Sequence, residues 1–145
     1  MIYIAADKHG HKAIKFAEEF LIRNKIEYQN LGVTNAKEDM RLEDMIPPVI
    51  HGVLQSKSNM AIFSCGTGIG VEVGANKFSG IRACLATDKK IAEWSRVYDN
   101  CNVLCLVGWN CARKKVHAIL KSWFKAKYDG DKGRLKMFKA FNKWR

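Results

Sequence analysis

Short apolar segments alternate with amphipathic segments along the whole chain. Five runs rich in strand-forming residues each precede a segment whose apolar positions repeat with helical spacing. The predicted strands span residues 1–6, 26–31, 59–64, 80–86 and 102–107, and the predicted helices span residues 12–24, 47–55, 71–77, 89–97, 113–127 and about 132–143. Pro47 and Pro48 suit the first turn of the second helix, and Asp88 is expected to cap the fourth.

This alternation predicts one fold class. Parallel strands need long crossover connections, and the intervening helices supply them. We therefore expect a three-layer α/β/α domain with a five-stranded parallel sheet, Rossmann-like in architecture. A chain of 145 residues has room for one core of this kind, so we predict a single domain over residues 1–145.

Composition narrows the class of protein further. No apolar run is long enough to span a bilayer, and the first residues lack the pattern of a signal peptide. The five cysteines form no CxxC pair; Cys101 and Cys105 flank an apolar run, where free cysteine behaves as a small core residue. The histidines show no metal-ligand spacing. We expect a cytoplasmic protein with no membrane partner and no metal.

Positive charge is concentrated near the end of the chain. The formal net charge is +11, and residues 113–145 carry twelve Lys or Arg against two Asp. Clustered cations of this kind neutralise phosphates of a nucleic acid, hold a small anionic substrate, or simply form a solvated helix face. Charge alone leaves all three interpretations open.

The third predicted strand ends in the most distinctive segment of the chain. Cys65 is followed by Gly66-Thr67-Gly68-Ile69-Gly70, which leads into a predicted helix. A helix N-terminus favours anions and thiolates, and ligands of open parallel sheets bind beyond the carboxyl ends of the strands. The spacing is neither GxGxxG nor a P-loop, so no dinucleotide or nucleotide cofactor is indicated.

Three motifs in series give this segment a family resemblance. Cys-Gly-Thr-Gly-Ile-Gly at 65–70, Gly-Ala-Asn-Lys at 74–77 and Gly-Ile-Arg-Ala at 80–83 resemble the ribose-5-phosphate isomerase B and galactose-6-phosphate isomerase family. The resemblance continues through Ser95-Arg96 and Asn102-Val103-Leu104 and covers nearly the whole chain. It implies aldose–ketose isomerisation of a pentose, hexose or tetrose phosphate through a cis-enediolate, without a metal or organic cofactor.

The resemblance also implies roles for individual residues. Cys65 matches the catalytic base, Thr67 and Asp7 match groups that help to open the sugar ring, and Tyr98 stands where the family has a histidine. Val71 stands where some members carry a glutamate base, which favours the cysteine mechanism here. The residues that match or replace the family's substrate-binding positions are Lys8, Gly66, Gly68, Ile69, Gly70, Asp99, Asn100, Lys132 and Lys136.

The family builds its active site between two chains, which implies a homodimer or a tetramer with a shared site. We expect the last helix, residues 132–143, to pack on a partner subunit, together with apolar positions of the helix at 113–124. One alternative is a catalytically idle sugar-phosphate-binding homologue or partner subunit. A basic nucleic-acid-binding module is the weaker alternative, since it explains neither Cys65 nor the glycine loop; we expect no nucleic-acid partner.

Overall fold

Five parallel strands form one sheet through the middle of the molecule in the computed structural model, which describes residues 1–144. The strands are β1 (Ile2–Ala6), β2 (Tyr28–Asn30), β3 (Met60–Cys65), β4 (Ala83–Leu85) and β5 (Val103–Val107). Their order across the sheet is β2-β1-β3-β5-β4, and each neighbouring pair is parallel. The chain leaves β1 in one direction for β2 and then crosses back to β3. The sheet therefore has a topological switch point between β1 and β3.

Helices cover both faces of the sheet. Within residues 1–144 they are α1 (His11–Arg23), α2 (Leu42–Leu54), α3 (Ile69–Ala75), α4 (Lys89–Val97), α5 (Arg113–Lys125) and α6 (Lys132–Phe141), followed by a short 3-10 helix (Asn142–Trp144). α1, α4 and α5 pack on one face of the sheet, and α2 and α3 pack on the other. The predicted three-layer fold with a five-stranded parallel sheet is confirmed.

Alternating strand residues build two hydrophobic cores. On β3, Ile62 belongs to the core beneath α1 and α5, whereas Phe63 belongs to the core beneath α2 and α3. Leu104 and Cys105 on β5 divide between the two cores in the same way, because successive strand residues point to opposite faces. Cys105 and Cys101 are buried as predicted, and burial raises the pKa of the Cys105 thiol.

The second helix begins earlier than the prolines indicated. α2 starts at Leu42, so Pro47 and Pro48 lie inside the helix and not in its first turn. Each proline removes an N–H that would bond to the preceding turn. The helix persists because its apolar side, including Met45 and Ile50, is fully buried against the sheet, and such packing supplies most of the stability of a helix in a protein.

The cap predicted for the fourth helix is confirmed. The Asp88 carboxylate accepts hydrogen bonds from the backbone N–H groups of Lys90 at 2.7 Å and Ile91 at 3.0 Å. These donors have no partner inside the helix. The cap fixes the first residue of α4. It therefore helps to set the point at which the chain leaves α4 and enters the turn before β5.

The two C-terminal helices differ in how they pack. The apolar side of α5, with Val116, Leu120 and Trp123 fully or almost fully buried, packs inside its own chain. The expectation that this side contacts a second chain was therefore wrong. α6 is held by Phe138, which is buried beneath the Arg82 guanidinium, and much of the rest of its surface is exposed. Its predicted contact with a partner subunit stays a prediction.

Candidate active site

Cys65 lies at the centre of the edge where the strands end. It is the last residue of β3 and is 5% exposed. Its backbone carbonyl accepts a hydrogen bond from the Gly108 N–H at 2.9 Å, which ties the end of β3 to the loop after β5. On the other side, Ala6 of β1 pairs with Ser64, so Asp7 follows directly beside Cys65. The thiol therefore stands at the switch point of the sheet, where ligands of this architecture bind.

The glycine loop turns the backbone sharply beneath the thiol. Gly68 has φ of +76°, a left-handed conformation that other residues adopt only with strain. The turn starts α3 at Ile69, two residues earlier than the sequence indicated. A Cβ atom placed at Gly70 would lie 3.8 Å from the Cys65 Sγ. The first turn of α3 therefore lies close to the thiol.

Thr67 begins this turn with an exposed side chain. Its Oγ1 accepts a hydrogen bond from the Ile69 N–H at 3.2 Å, so it occupies one of the free donors at the start of α3. The hydroxyl proton remains available to a ligand. The structure therefore places Thr67 on the same edge of the sheet as Cys65.

Asp7 is buried and already engaged within its own loop. Its Oδ1 accepts a hydrogen bond from the Gly10 N–H at 2.8 Å, and its carbonyl accepts another from the same group at 3.1 Å. These bonds fix the turn between β1 and α1. They also hold the carboxylate at the end of β1, beside the end of β3.

Lys8 is exposed at this edge and forms an ion pair. Its Nζ lies 2.8 Å from Asp39 Oδ2, in the loop that follows β2. The hydrogen bond to Asp39 raises the pKa of Lys8, and the same bond lowers the pKa of Asp39. A phosphate that binds Lys8 must therefore compete with Asp39 for the ammonium group.

Trp109 is a neighbour of Cys65 that the sequence analysis missed. A Cβ atom at Gly66 would lie 2.5 Å from the Trp109 indole, so the ring covers the first glycine of the loop. Its backbone N–H donates to the Gly66 carbonyl at 3.0 Å, and its ring meets His9 edge-on with centroids 5.9 Å apart. The ring is 56% exposed. The position of this tryptophan, directly after Gly108 at the end of a predicted strand, could have indicated from the sequence that its ring lies near the site.

The remaining predicted residues lie at the opposite end of the sheet. Tyr98, Asp99 and Asn100 form the turn between α4 and β5, before the first residue of that strand. Cys65 pairs in register with Val107, the last residue of β5. With a rise of about 3.3 Å per residue, the length of β5 separates the turn from the thiol. One chain does not bring these two groups together.

Exposed cationic and aromatic side chains mark this opposite end. The Arg134 guanidinium lies 5.4 Å above the Tyr98 ring, which is 47% exposed, and also pairs with Asp129. Lys132 and Lys136 are exposed on α6, in the helix that Phe138 fastens beside Arg82 at the start of β4. Among residues 1–144, no cluster of three or more His, Cys, Asp or Glu side chains is arranged to hold a metal ion at either end.

An open α/β sheet with a thiol and a glycine turn at its switch point defines the class of protein: a small α/β domain with a ligand crevice at the carboxyl ends of its strands. None of the helices described for residues 1–144 combines the length and apolar character needed to cross a bilayer.

Comparison with known proteins gives the family. Residues 2–139 match the family model described as Ribose/Galactose Isomerase. The chain is 30% identical over 129 residues to a probable ribose-5-phosphate isomerase B of Mycoplasma pneumoniae, with 89% of this chain and 85% of that protein covered. The chain belongs to the ribose/galactose isomerase family. The predicted family and the predicted class of enzyme, an aldose–ketose isomerase, are both confirmed.

Solved structures support the same assignment. A ribose 5-phosphate isomerase of Thermotoga maritima superposes with a TM-score of 0.91 at 25% identity, with 98% of this chain and 97% of that chain covered. Ribose-5-phosphate isomerase B of Mycoplasma genitalium, solved with bound ribulose-5-phosphate, gives a TM-score of 0.88 at 29% identity, with 98% and 94% covered. The fold and the order of its elements are those of the family.

Proposed function

We propose that this chain isomerises a small phosphorylated sugar between its aldose and ketose forms, without a cofactor, with Cys65 as the base. The observation that carries the proposal is the close approach of the first turn of α3 to the Cys65 thiol at the end of β3. The Mycoplasma genitalium structure contains ribulose-5-phosphate, so a pentose phosphate is the first substrate to test. Tetrose and hexose phosphates follow, since the sequence does not fix the length of the sugar.

The proposed reaction moves one proton between neighbouring carbons. The Cys65 thiolate takes the proton from C2 of the open-chain aldose, and the electron pair forms a C1–C2 double bond while the C1 oxygen gains negative charge. The thiol then returns the proton to C1, the O2 hydroxyl loses its proton, and O1 gains one, which gives the ketose. A base positioned in this way contributes about 10²–10⁴-fold to the rate.

Backbone N–H groups stabilise the enediolate. Ile69 N–H is taken by Thr67 Oγ1, so the N–H groups of Gly70 and Val71 are the donors of the first turn that remain for the ligand. Gly70 itself is close to the thiol, since a Cβ atom built on it would lie 3.8 Å from the Cys65 Sγ. Fixed donors of this kind stabilise charge that develops during the reaction without reorganising. Asp7 and the Thr67 hydroxyl, on the same edge, assist ring opening.

A second copy of the chain completes the site in this proposal. Tyr98, Asp99 and Asn100 lie at the other end of the sheet, as do Lys132 and Lys136. In a two-fold dimer, each chain presents its turn and α6 to the partner's thiol, since both contacts are repeated by symmetry. The phosphate would then be held by lysines of one chain while the carbons to be isomerised lie over Cys65 of the other.

Exposed apolar side chains on both sides of the edge strand β4 support this arrangement. On α3, Ile69 is 52% and Val73 is 53% exposed; on the other face of the sheet, Trp94 of α4 and Tyr98 in the turn after it are each 47% exposed. Isologous packing along this edge would bring the α3 turn of one chain to the Tyr98 turn of its partner. Light scattering that finds only monomer at micromolar concentration would contradict the dimer.

The idle homologue remains the second candidate function, because Tyr98 replaces the family histidine and lies beneath Arg134. A tyrosine that stacks on an arginine is not free to act as histidine does. Retention of Cys65, Thr67 and the glycine turn favours the active enzyme.

The experiment that separates the two is proton exchange. The chain is incubated with ribose 5-phosphate in deuterated water, and deuterium at C2 is measured together with turnover. We expect exchange and turnover in the unmodified chain and a loss of about 10²-fold or more in Cys65→Ser, because a serine hydroxyl does not ionise near neutral pH. Binding of the sugar phosphate should survive. Exchange that persists in Cys65→Ser would assign the base elsewhere.

A further inference from the structure

Two arginines meet at the amino end of the sheet, outside the proposed catalytic groups. Arg82 precedes β4, and its Nε donates to the Asn100 carbonyl at 2.9 Å. Arg96 is in the last turn of α4, and its Nη1 donates to the Cys101 carbonyl. These two carbonyls belong to consecutive residues, whose Cα atoms are about 3.8 Å apart. Both arginines line the same cavity, so their guanidinium groups lie near each other.

Neither positive charge is neutralised within residues 1–144. Three arginines pair with carboxylates, Arg41 with Glu43, Arg113 with Glu19 and Arg134 with Asp129, and Arg23 is exposed to solvent on α1. Arg82 and Arg96 have no ion pair among the described residues.

Burial makes the two neighbouring positive charges unfavourable when no anion lies between them. Both side chains are half-buried, and each stacks on an aromatic ring, Arg82 on Phe138 at 5.3 Å and Arg96 on Trp123 at 5.4 Å. Burial lowers the pKa of both guanidinium groups, and the charge of Arg82 lowers that of Arg96 further. Two like charges in partly desolvated positions favour an anion between them.

The arginines open into a cavity that can hold such an anion. The cavity measures about 490 Å³ and is also lined by Ser56, Ser58 and Asn59 of the loop between α2 and β3. A volume of this size accommodates a small metabolite. Each guanidinium has several N–H donors in a planar fork that matches the oxygens of a phosphate, and the described hydrogen bonds use one of them on each arginine. Hydroxyl and amide groups on the facing wall add further partners.

We propose that this cavity binds a phosphate group, either free phosphate or the phosphate of a small phosphorylated metabolite, held by Arg82 and Arg96. It lies at the opposite end of the sheet from the Cys65 of its own chain, and its cations are different from Lys132 and Lys136. Asn100 and Leu135 also line the cavity, so the proposed site adjoins the turn and helix assigned to the substrate but uses different cations.

Calorimetric titration of the full chain tests the site, with inorganic phosphate in one arm and glycerol 3-phosphate in the other. Arg96→Lys keeps the charge but removes the planar fork, so we expect binding in both arms to weaken about tenfold or more. Tighter binding of the ester than of free phosphate would identify a phosphorylated metabolite as the occupant. Tighter binding of inorganic phosphate would identify the free ion.

A second pair of variants avoids the arginines and their packing. Ser58 is exposed and lies on a loop, so Ser58→Asp places a carboxylate at the cavity without disturbing the core. We expect this variant to lose phosphate binding. Asparagine has the shape of aspartate without its charge, so Ser58→Asn should retain binding. The Lys136→Ala variant should bind phosphate at this site as tightly as the unmodified chain does.

Three results would overturn the proposal. They are no binding of either compound at millimolar concentration, unchanged binding in both Arg96→Lys and Ser58→Asp, or binding that disappears in Lys136→Ala alone. The last result would place the anion at the substrate site.

Discussion

The carboxyl end of the sheet and its amino end are built in different ways. Around Cys65, the fold itself holds the groups of the proposed chemistry: a strand end, a left-handed glycine turn and the first turn of a helix. Around Tyr98, exposed side chains on a turn and on α6 supply the groups. Backbone geometry defines the first arrangement, whereas exposed side chains define the second. In the proposed function, the carboxyl end carries the bond chemistry and the amino end of the partner recognises the substrate.

Mixing two variants that are both impaired at substrate concentrations far below KM tests whether the two ends of different chains form one site. Cys65→Ser disables one end, and the double variant Lys132→Ala, Lys136→Ala disables the other. Random pairing gives half heterodimers, each with one intact site, so the mixture should recover about a quarter of the unmodified activity. Turnover of each variant alone and of the mixture after dissociation and reassembly is the measurement. A mixture no more active than its components would place all the groups of a site in one chain.

Lys136→Ala should separate recognition from chemistry. Removing a charge-assisted contact to phosphate costs about 1.5–3 kcal/mol, so the KM for the sugar phosphate should rise at least about tenfold while kcat changes little. Steady-state kinetics measure both constants. Lys125→Ala, an exposed lysine on α5, is the matched control and should leave KM unchanged. A fall in kcat with an unchanged KM would assign Lys136 to the proton-transfer step.

Asp88→Ala should affect stability. Loss of the cap on α4 costs about 1 kcal/mol, which lowers the Tm of a domain of this size by about 3 °C. Asp88→Asn retains a capping oxygen and should melt close to the unmodified chain. Thermal unfolding followed by circular dichroism gives both values. Equal melting of all three proteins would show that the cap does not contribute to the stability of the domain.

The ion pair between Lys8 and Asp39 should give the smallest effect. Both side chains are exposed, and such pairs are weak, so Asp39→Asn should free Lys8 and lower KM only about twofold.

Titration offers a sharper measurement of the same pair. The hydrogen bond from Lys8 lowers the pKa of Asp39 below its ordinary value, so the pair persists at neutral pH and is lost as the pH falls through the lowered pKa. NMR titration of the Asp39 carboxyl carbon should show a midpoint below that of a free aspartate, and this midpoint should rise in Lys8→Met. An identical midpoint in both proteins would mean that the pair does not form in solution.

Several features of this protein were already determined by the sequence. Alternating apolar runs and helical spacing predicted the parallel sheet because both faces of such a sheet must be covered. Motif spacing predicted the glycine turn after Cys65, since glycine adopts the positive φ of a sharp turn without the steric cost that other residues carry. Asp88 was predictable as a cap because its effect is local.

Other features depended on packing between distant segments. The start of α2 at Leu42 was not predictable from its prolines, because burial of one helix side outweighs the lost hydrogen bonds. Trp109 reaches Gly66 only because β3 and β5 are neighbours in the sheet. The separation of Tyr98 from Cys65 was likewise decided by the sheet. A residue's place at one end of a strand depends on the order and direction of all the strands, which local sequence does not carry.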